Sequence, residues 1–143
     1  MLIKQISVFA ENKPGRLLAI TKTIADAGID IRALSIADTT DFGILRLIVS
    51  DPQKALEACK EQGFTTAVTE VIAIKMQDKS GALYKVLDIL NSNEISVEYA
   101  YAYITHTANE ACVILRVENN EKALKALTDN NVVLVCEDEV YSK

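Results

Sequence analysis

A short polar segment that contains a glycine occurs twice in this sequence. The first copy is Asn12-Lys13-Pro14-Gly15-Arg16-Leu17, and the second, in the other half of the chain, is Asp78-Lys79-Ser80-Gly81-Ala82-Leu83. Each copy stands between an alternating apolar–polar run, typical of a strand, and a run with helical spacing. Glycine lets a ligand approach the backbone closely, and the free N–H groups of a first helical turn attract a carboxylate or a phosphate. We therefore predict that one or both turns bind a small metabolite with an anionic group.

The residues around the first turn suit both charged groups of an amino acid. The N–H groups of Gly15, Arg16 and Leu17 would bind its carboxylate. The amide oxygen of Asn12 and the carboxylate of Asp30, which follows the predicted helix, would accept hydrogen bonds from its α-ammonium group. The residue types therefore favour a ligand that carries both charges.

The second copy repeats this arrangement with some substitutions. Ser96 stands where the first half has Asp30, at the same offset that separates Asn12 from Asp78. The alternative to a ligand site is an ordinary tight turn, in which Pro14 and Gly15 are present only for their φ angles. The repetition of the turn, with a polar residue after each helix, brings the ligand site level with the ordinary turn, so both interpretations stay open at this point.

The elements that would position these turns repeat as well. In the first half we predict strands at residues 2–10, 29–38, 42–50 and 65–69, with helices at 14–27 and from Pro52 to about Gly63. Asp51 is the expected N-cap of the second helix, and Asp38-Thr39-Thr40-Asp41 the expected hairpin. In the second half we predict strands at 71–76, 95–104, 111–117 and 132–135, with helices after Gly81 and before Val132. The acidic residues 137–139 are expected to be solvated.

This order, strand-helix-strand-strand-helix-strand in each half, predicts an α+β protein. We expect two ferredoxin-like βαββαβ modules with antiparallel sheets and helices on one face, at residues 1–70 and 71–143. Arg46 and Arg116 are four positions further apart than the two turns are, which predicts a hairpin that is longer by four residues in the second module. Modules this small bury only about 60% of their unfolded surface, so we expect them to pack on each other or to form a homodimer.

The composition excludes several classes of partner. A net charge of −5 and a pI near 4.9 argue against nucleic acid and anionic membranes, which require clustered Lys and Arg. Three widely spaced cysteines, Cys59, Cys112 and Cys136, fit buried reduced thiols better than disulfides or a metal site. We expect a cytoplasmic protein without a cofactor or a bound metal.

Other reactive side chains do not form a catalytic set. His106 is alone in a predicted hairpin, with no nucleophile or carboxylate at a useful spacing. Arg46 and Arg116 lie in mid-strand, where ion pairing across an interface is expected. Alternation along the predicted strand places Val97 on one face with a stripe of tyrosines, Tyr99, Tyr101 and Tyr103. Such a stripe favours packing on a neighbouring module or chain. We therefore expect that the protein is not an enzyme.

The segment 11–17, followed by Ala27-Gly28-Ile29-Asp30-Ile31, resembles the ACT domain, and residues 78–83 with 95–97 resemble a diverged second copy. The resemblance implies a tandem pair that binds amino acids where modules meet and regulates a metabolic enzyme. By resemblance Asn12, Gly15 and Leu17 would line the site. Asp30 stands where serine-binding members commonly have Asn, and Asp78 also replaces an Asn, so both favour a cationic group on the ligand.

Three other functions remain as alternatives. An acylphosphatase-like small hydrolase would use Arg16 to hold a phosphate, although the second copy has Ala82 at that position. RNA binding is disfavoured by the net charge and the few aromatic residues in residues 42–47. A purely structural or oligomerisation module would bind no ligand at either turn.

Overall fold

Two modules with the same order of elements follow one another along the chain. The computed structural model describes residues 1–38 and 41–142, so Thr39 and Thr40 of the predicted hairpin lie outside the described residues. The elements are β1 (Ile3–Glu11), α1 (Arg16–Asp26), β2 (Ile31–Asp38), β3 (Phe42–Val49), α2 (Pro52–Glu61), β4 (Thr65–Gln77), α3 (Ala82–Ser92), β5 (Val97–Tyr103), β6 (Glu110–Val117), α4 (Asn120–Asp129), β7 (Val133–Leu134) and α5 (Glu137–Tyr141). These two βαββαβ modules confirm the predicted fold class.

The first compact unit comprises the described residues of Lys4–Thr69 together with residues 140–142. In this unit β1 and β2 both pair antiparallel with β3, which is therefore the central strand of the three. Apolar side chains from one face of these strands pack against α1 and α2. The core they form contains Ile6, Val8, Ile20, Ile24, Ile29, Leu45, Leu47, Val49, Ala55 and Cys59.

The second compact unit comprises Met1–Ile3 and Glu70–Glu139. Here β4 and β5 both pair antiparallel with β6, and the short β7 pairs with β4. Helices α3 and α4 cover one face. The core beneath them contains Ile72, Ile74, Val86, Leu90, Ile95, Leu115, Val117, Ala123, Ala126 and Leu127.

Each second helix of a module begins with a capping side chain. The Asp51 carboxylate accepts a hydrogen bond from the Lys54 N–H at 3.0 Å, with Pro52 as the first helical residue. Asn119 caps α4 in the same way by accepting from the Lys122 N–H at 3.1 Å. The predicted N-cap at Asp51 is confirmed, because its side chain satisfies an N–H that has no partner within the helix. None of the helices in the described residues is long and apolar enough to cross a membrane.

The predicted break near Glu70 between two strands is wrong. The structure has one continuous strand, β4, from Thr65 to Gln77. No Gly, Pro or Asn interrupts this stretch, so nothing in its sequence turns the chain away from an extended conformation. One strand therefore serves as the last strand of the first module and the first strand of the second.

The predicted face of Val97 is also wrong. Val97 pairs with Val117, but the register shifts before Tyr99, which pairs with Arg116. Neighbours along a strand point to opposite faces, and Val117 lies in the core, so Arg116 and Tyr99 face away from the helices. The rings of Tyr99 and Tyr101 stack with centroids 6.4 Å apart. The half-buried tyrosines on this face are Tyr99, Tyr101 and Tyr103.

The predicted equivalence of Arg46 and Arg116 is contradicted by the strand register. Ala73 is the counterpart of Ser7, because these two residues are as far apart in the sequence as the two turns are. Ser7 pairs with Arg46, whereas Ala73 pairs with Ile114. Ile114, two positions before Arg116, is therefore the counterpart of Arg46, and the second hairpin gains two residues rather than four. Arg116 also has a partner in its own unit, since its Nε lies 3.3 Å from Glu98.

The acidic residues 137–139 are exposed, as expected, and they lie at the start of a short C-terminal helix. Residues Glu137–Tyr141 form α5, Glu139 is ion-paired with Lys75, and the side chain of Val140 is fully buried. This ion pair lowers the pKa of Glu139 and raises the pKa of Lys75. The tail therefore contributes to folded structure.

The three cysteines differ in exposure. Cys59 and Cys112 are buried as expected, and burial raises the pKa of both thiols. Cys136 is exposed, so the expectation of three buried thiols is wrong for this residue. It lies between β7 and α5, beyond the last strand of the sheet.

Candidate functional site

The first turn reverses the chain through main-chain hydrogen bonds. The Lys13 N–H donates to the Glu11 carbonyl at 2.8 Å, and the Arg16 N–H donates to the Lys13 carbonyl at 3.3 Å. Gly15 between them has φ = 86°, a left-handed conformation that favours glycine. The Arg16 N–H, which we expected to bind a carboxylate, is therefore used within the turn.

Other N–H groups at the start of α1 remain available. The first bond of the helix runs from the Ala19 N–H to the Gly15 carbonyl at 2.9 Å. In the described residues, the N–H groups of Gly15, Leu17 and Leu18 donate no hydrogen bond. These N–H groups can bind an anion, as predicted for Gly15 and Leu17.

The second turn has the same geometry. The Lys79 N–H donates to the Gln77 carbonyl at 2.9 Å, and the Ala82 N–H donates to the Lys79 carbonyl at 3.2 Å. Gly81 has φ = 84° and precedes α3 as Gly15 precedes α1. The repeated sequence thus folds into a repeated turn, and Ala82, like Arg16, uses its N–H internally.

A cavity of about 230 Å³ adjoins the first turn. Its apolar lining comes from Ala10, Leu17, Ile20, Ile36 and Leu45, and the remaining lining comes from Glu11, Asn12, Lys13, Asp38 and Gly43. Leu17 and Ile36 are 46% and 51% exposed, so apolar surface remains accessible here. An apolar pocket with a few polar groups at its rim is the usual form of a small-molecule site.

The predicted residues of the first turn divide into two groups. Asn12, Lys13 and Leu17 line this cavity, whereas Pro14 and Gly15 shape the turn without lining it. Arg16 lines two other clefts, of about 680 Å³ beside α1 and α2 and about 280 Å³ near Phe9. The Arg16 side chain is thus separate from the cavity that Asn12 and Leu17 share.

Asp30 lies at the other end of the first module. It follows α1, whose 11 residues extend about 16 Å from the turn. Its carboxylate is ion-paired with Arg32, and its N–H donates to the Ser50 hydroxyl at 3.0 Å. A single module therefore does not bring Asp30 together with Asn12, contrary to the arrangement that we expected around one ligand.

Ser96 is placed in the same way in the second module. It follows α3 and lines a cleft of about 620 Å³ with Glu94, Glu118 and Asn120. Asp78, Ser80 and Leu83 stand at the opposite end, around the second turn. The predicted set of the second copy, which comprises Asp78, Ser80, Gly81, Ala82, Leu83 and Ser96, is therefore also divided between two ends of its module.

Two carboxylates, Glu11 and Asp38, and one ammonium, Lys13, line the first cavity. The Lys13 ammonium lies 2.6 Å from the Glu11 carboxylate, and this contact lowers the pKa of Glu11. Asp38 has no ion-pair partner within the described ranges 1–38 and 41–142. The rim therefore offers a carboxylate to a cationic group, while Lys13 and the free N–H groups attract an anion.

Sequence reasoning missed the strand residues of this cavity. Ala10 and Asp38 both pair with Gly43, and Ile36 pairs with Leu45. These positions are far apart in the sequence and meet only after the strands have paired. Two small residues opposite one another, Ala10 and Gly43, were the available signal for a space at this end of the sheet.

Two tandem βαββαβ modules, each with a glycine turn before its first helix, define the ferredoxin-like class of α+β protein, and comparison with known proteins identifies the family. The sequence matches the ACT domain pair family over residues 1–143. The chain belongs to this family, which confirms the resemblance found in the sequence.

Solved structures with a similar fold include three bacterial proteins. The crystal structure of protein BT0572 from Bacteroides thetaiotaomicron has 40% identity and a TM-score of 0.93, covering 100% of this chain and 98% of that one. The regulatory subunit of aspartate kinase from Thermus thermophilus, in a ligand-free form, has 19% identity and a TM-score of 0.64, covering 91% and 94%. The same subunit from Thermus flavus has 17% identity and a TM-score of 0.58, covering 88% and 90%. No protein with a curated description matches the chain.

Proposed function

We propose that this protein is an amino-acid sensor that binds its ligand at the first turn and regulates a metabolic enzyme or pathway. The observation that carries the proposal is the cavity of about 230 Å³ beside a turn with free N–H groups. Membership of the ACT domain pair family supports a regulatory rather than a catalytic role. The two ACT modules would be residues 1–70 and 71–143.

In the proposed complex, the ligand carboxylate accepts a hydrogen bond from the N–H group of Leu17 and attracts the Lys13 ammonium. The ligand ammonium donates to the Asn12 amide oxygen and to Asp38. This assignment transfers the role that we expected for Asp30 to Asp38, because Asp38 lines the cavity and Asp30 does not. Asp30 and Ser96 would contact a ligand only from a neighbouring copy of the module.

We propose that the functional protein is a cytoplasmic homodimer. Each unit exposes large apolar side chains near its turn, and these are Leu17, Leu18 and Ile36 in the first unit and Leu83, Tyr84 and Ile104 in the second. Burial of such surface between two copies would remove it from water and would place a bound ligand where subunit contacts can respond to it. Sedimentation velocity should give twice the monomer mass, and a monomer at micromolar concentration would contradict this part of the proposal.

The alternative of an acylphosphatase-like hydrolase would require Arg16 at the anion site. That residue lines other clefts, which favours the sensor. An assay of acylphosphate hydrolysis decides between the two functions: turnover that Arg16→Ala abolishes would support the hydrolase and contradict the sensor.

The proposed sensor is tested by calorimetric titration with each of the twenty amino acids. We expect at least one to bind, and we expect Gly15→Trp to abolish this binding by placing a large side chain at the turn. Gly81→Trp is the matched control, because it introduces the same strain at φ = 84° in the second module. Absence of binding by every amino acid, or equal loss of binding in both variants, would overturn the proposal of a first-turn site.

A further inference from the structure

We infer that the first-turn cavity selects an amino acid with an aliphatic side chain and that the second module has no equivalent site, so that each chain binds one ligand. This inference rests on the proposed function and specifies its ligand class and stoichiometry. It comes from the side chains that line the cavity and from their counterparts in the second module.

The interior of the cavity is apolar. Ala10, Ile20 and Leu45 come from the helix-covered face of the sheet and from α1, and Leu17 and Ile36 complete the apolar wall. The charged groups, Glu11, Lys13 and Asp38, are exposed at its rim. A ligand whose ammonium and carboxylate bind at the rim would therefore direct its side chain against aliphatic carbons.

The size of the cavity matches an aliphatic amino acid. At roughly 30 Å³ per water-sized group, a volume of about 230 Å³ holds about eight such groups. Valine, leucine and isoleucine have eight or nine non-hydrogen atoms, as an elementary count shows. A polar side chain of similar size would lose its hydration here without gaining a partner from the apolar wall.

The strand register identifies what fills the corresponding space in the second module. Met76 pairs with Ala111 as Ala10 pairs with Gly43, so both small residues of the first cavity are replaced by larger ones. Met76 packs against the core of its unit, which places its side chain in the space that Ala10 leaves open in the first module. We infer that Met76 and Ala111 close the second site.

The rim of the second module also differs. Ile104 is the counterpart of Asp38, because the two residues are as far apart in the sequence as the two turns are, and the same offset relates β5 to β2. An aliphatic side chain therefore replaces the carboxylate of the first rim. Ile104 is 60% exposed. The second turn therefore keeps its free N–H groups but lacks the Asp38 carboxylate.

Calorimetry with leucine, isoleucine, valine, methionine and alanine, against serine, aspartate and lysine, tests the ligand class. Each buried methylene contributes about a fourfold gain in affinity, so leucine should bind about fiftyfold more tightly than alanine. The expected stoichiometry is one ligand per chain. If serine, aspartate or lysine binds as tightly as leucine and Gly15→Trp abolishes that binding, the aliphatic selectivity is wrong and the sensor stands. If no amino acid binds, both are wrong.

The closed second site is tested by substitutions that place the cavity residues of one module at the equivalent positions of the other. Ala10→Met should weaken leucine binding at least tenfold, and the matched control Met76→Ala should leave the affinity of the first site unchanged. Gly43→Ala provides a second variant that is expected to fold, because its Cβ would meet only the Asp38 carboxylate, at 3.5 Å. It should weaken binding in the same direction. Two equivalent ligands per chain, or undiminished affinity in folded Ala10→Met and Gly43→Ala, would overturn the inference.

Discussion

Arg32 should hold the C-terminal segment in place, and its replacement should release that segment locally. The Arg32 guanidinium donates to the carbonyl of Val140 from Nε at 3.2 Å and to the carbonyl of Ser142 from Nη2 at 2.6 Å. It is also ion-paired with Asp30, and its side chain is only 18% exposed. One side chain therefore links the start of β2 to the last residues of the chain.

The magnitude follows from the two carbonyl contacts. Hydrogen bonds that involve a charged group contribute about 1.5–3 kcal/mol, and Ser142 is exposed, so we take about 2 kcal/mol for the pair. This corresponds to roughly a thirtyfold larger population of the released segment. The Asp30 ion pair involves an exposed carboxylate and contributes less than about 1 kcal/mol. We therefore expect Arg32→Ala to release the segment and Asp30→Asn to have only a small effect.

Hydrogen exchange followed by mass spectrometry measures this release. In Arg32→Ala the amides of residues 139–142 should exchange about thirty times faster, while the amides of α4 keep their protection. Arg116→Ala is the matched control, because it removes an arginine that pairs with Glu98 and does not contact residues 139–142. Exchange within twofold of the original protein at residues 139–142, or equal acceleration in the control, would refute the role of Arg32.

Three further predictions concern stability. Gly15→Ala and Gly81→Ala should each destabilise the fold by about 1 kcal/mol in urea unfolding, since both require positive φ and an added Cβ meets nothing within 4 Å; a neutral result would contradict the strain argument. Asp51→Ala and Asn119→Ala should each lower the free energy of unfolding by about 1 kcal/mol through loss of the N-cap, and an unchanged denaturation midpoint would count against it. The pKa of Glu139 is lower in the folded protein than in the unfolded chain, where it is about 4.3, so the ionised carboxylate stabilises the fold at a pH above about 4.3. This stabilisation is lost as the pH falls through the pKa of the folded state. Between about pH 5 and 3, Glu139→Gln should therefore lose less stability than the original protein, and parallel pH profiles would exclude this contribution.

Much of the fold could be predicted from local patterns. The alternation of apolar residues indicated β1 and the helical spacing indicated α1, because each element must present one apolar face to a core. The Asp51 cap is local as well, and so are most hydrogen bonds of the glycine turns, although the Asn12 N–H also donates to the distant Asp41 carbonyl at 3.1 Å. These features depend mainly on nearby residues, and they appear in the structure close to their predicted positions.

The errors arose where strand pairing decided the outcome. The register shift beside Val97 reversed its face relative to the tyrosines, and alternation along one strand carries no information about such a shift. The same applies to Arg46 and Arg116, which the sequence suggested were equivalent positions of the two modules. Ser7 pairs with Arg46, but its counterpart Ala73 does not pair with Arg116. The exposure of residues 137–139 was predicted correctly, but the ion pair of Glu139 with Lys75 was not, because Lys75 lies far earlier in the sequence.

For the candidate site, the sequence by itself determined the turn: Asn12, Lys13 and Gly15 lie within four residues, and their conformation follows from main-chain bonds and one positive φ angle. Only the tertiary structure decided that Asp38 rather than Asp30 lies beside that turn. An 11-residue helix carries Asp30 away, and the antiparallel return of β2 brings Asp38 back. Distance along a chain predicts contacts within a turn, whereas contacts between strands depend on direction and register, which are established only when the strands pair.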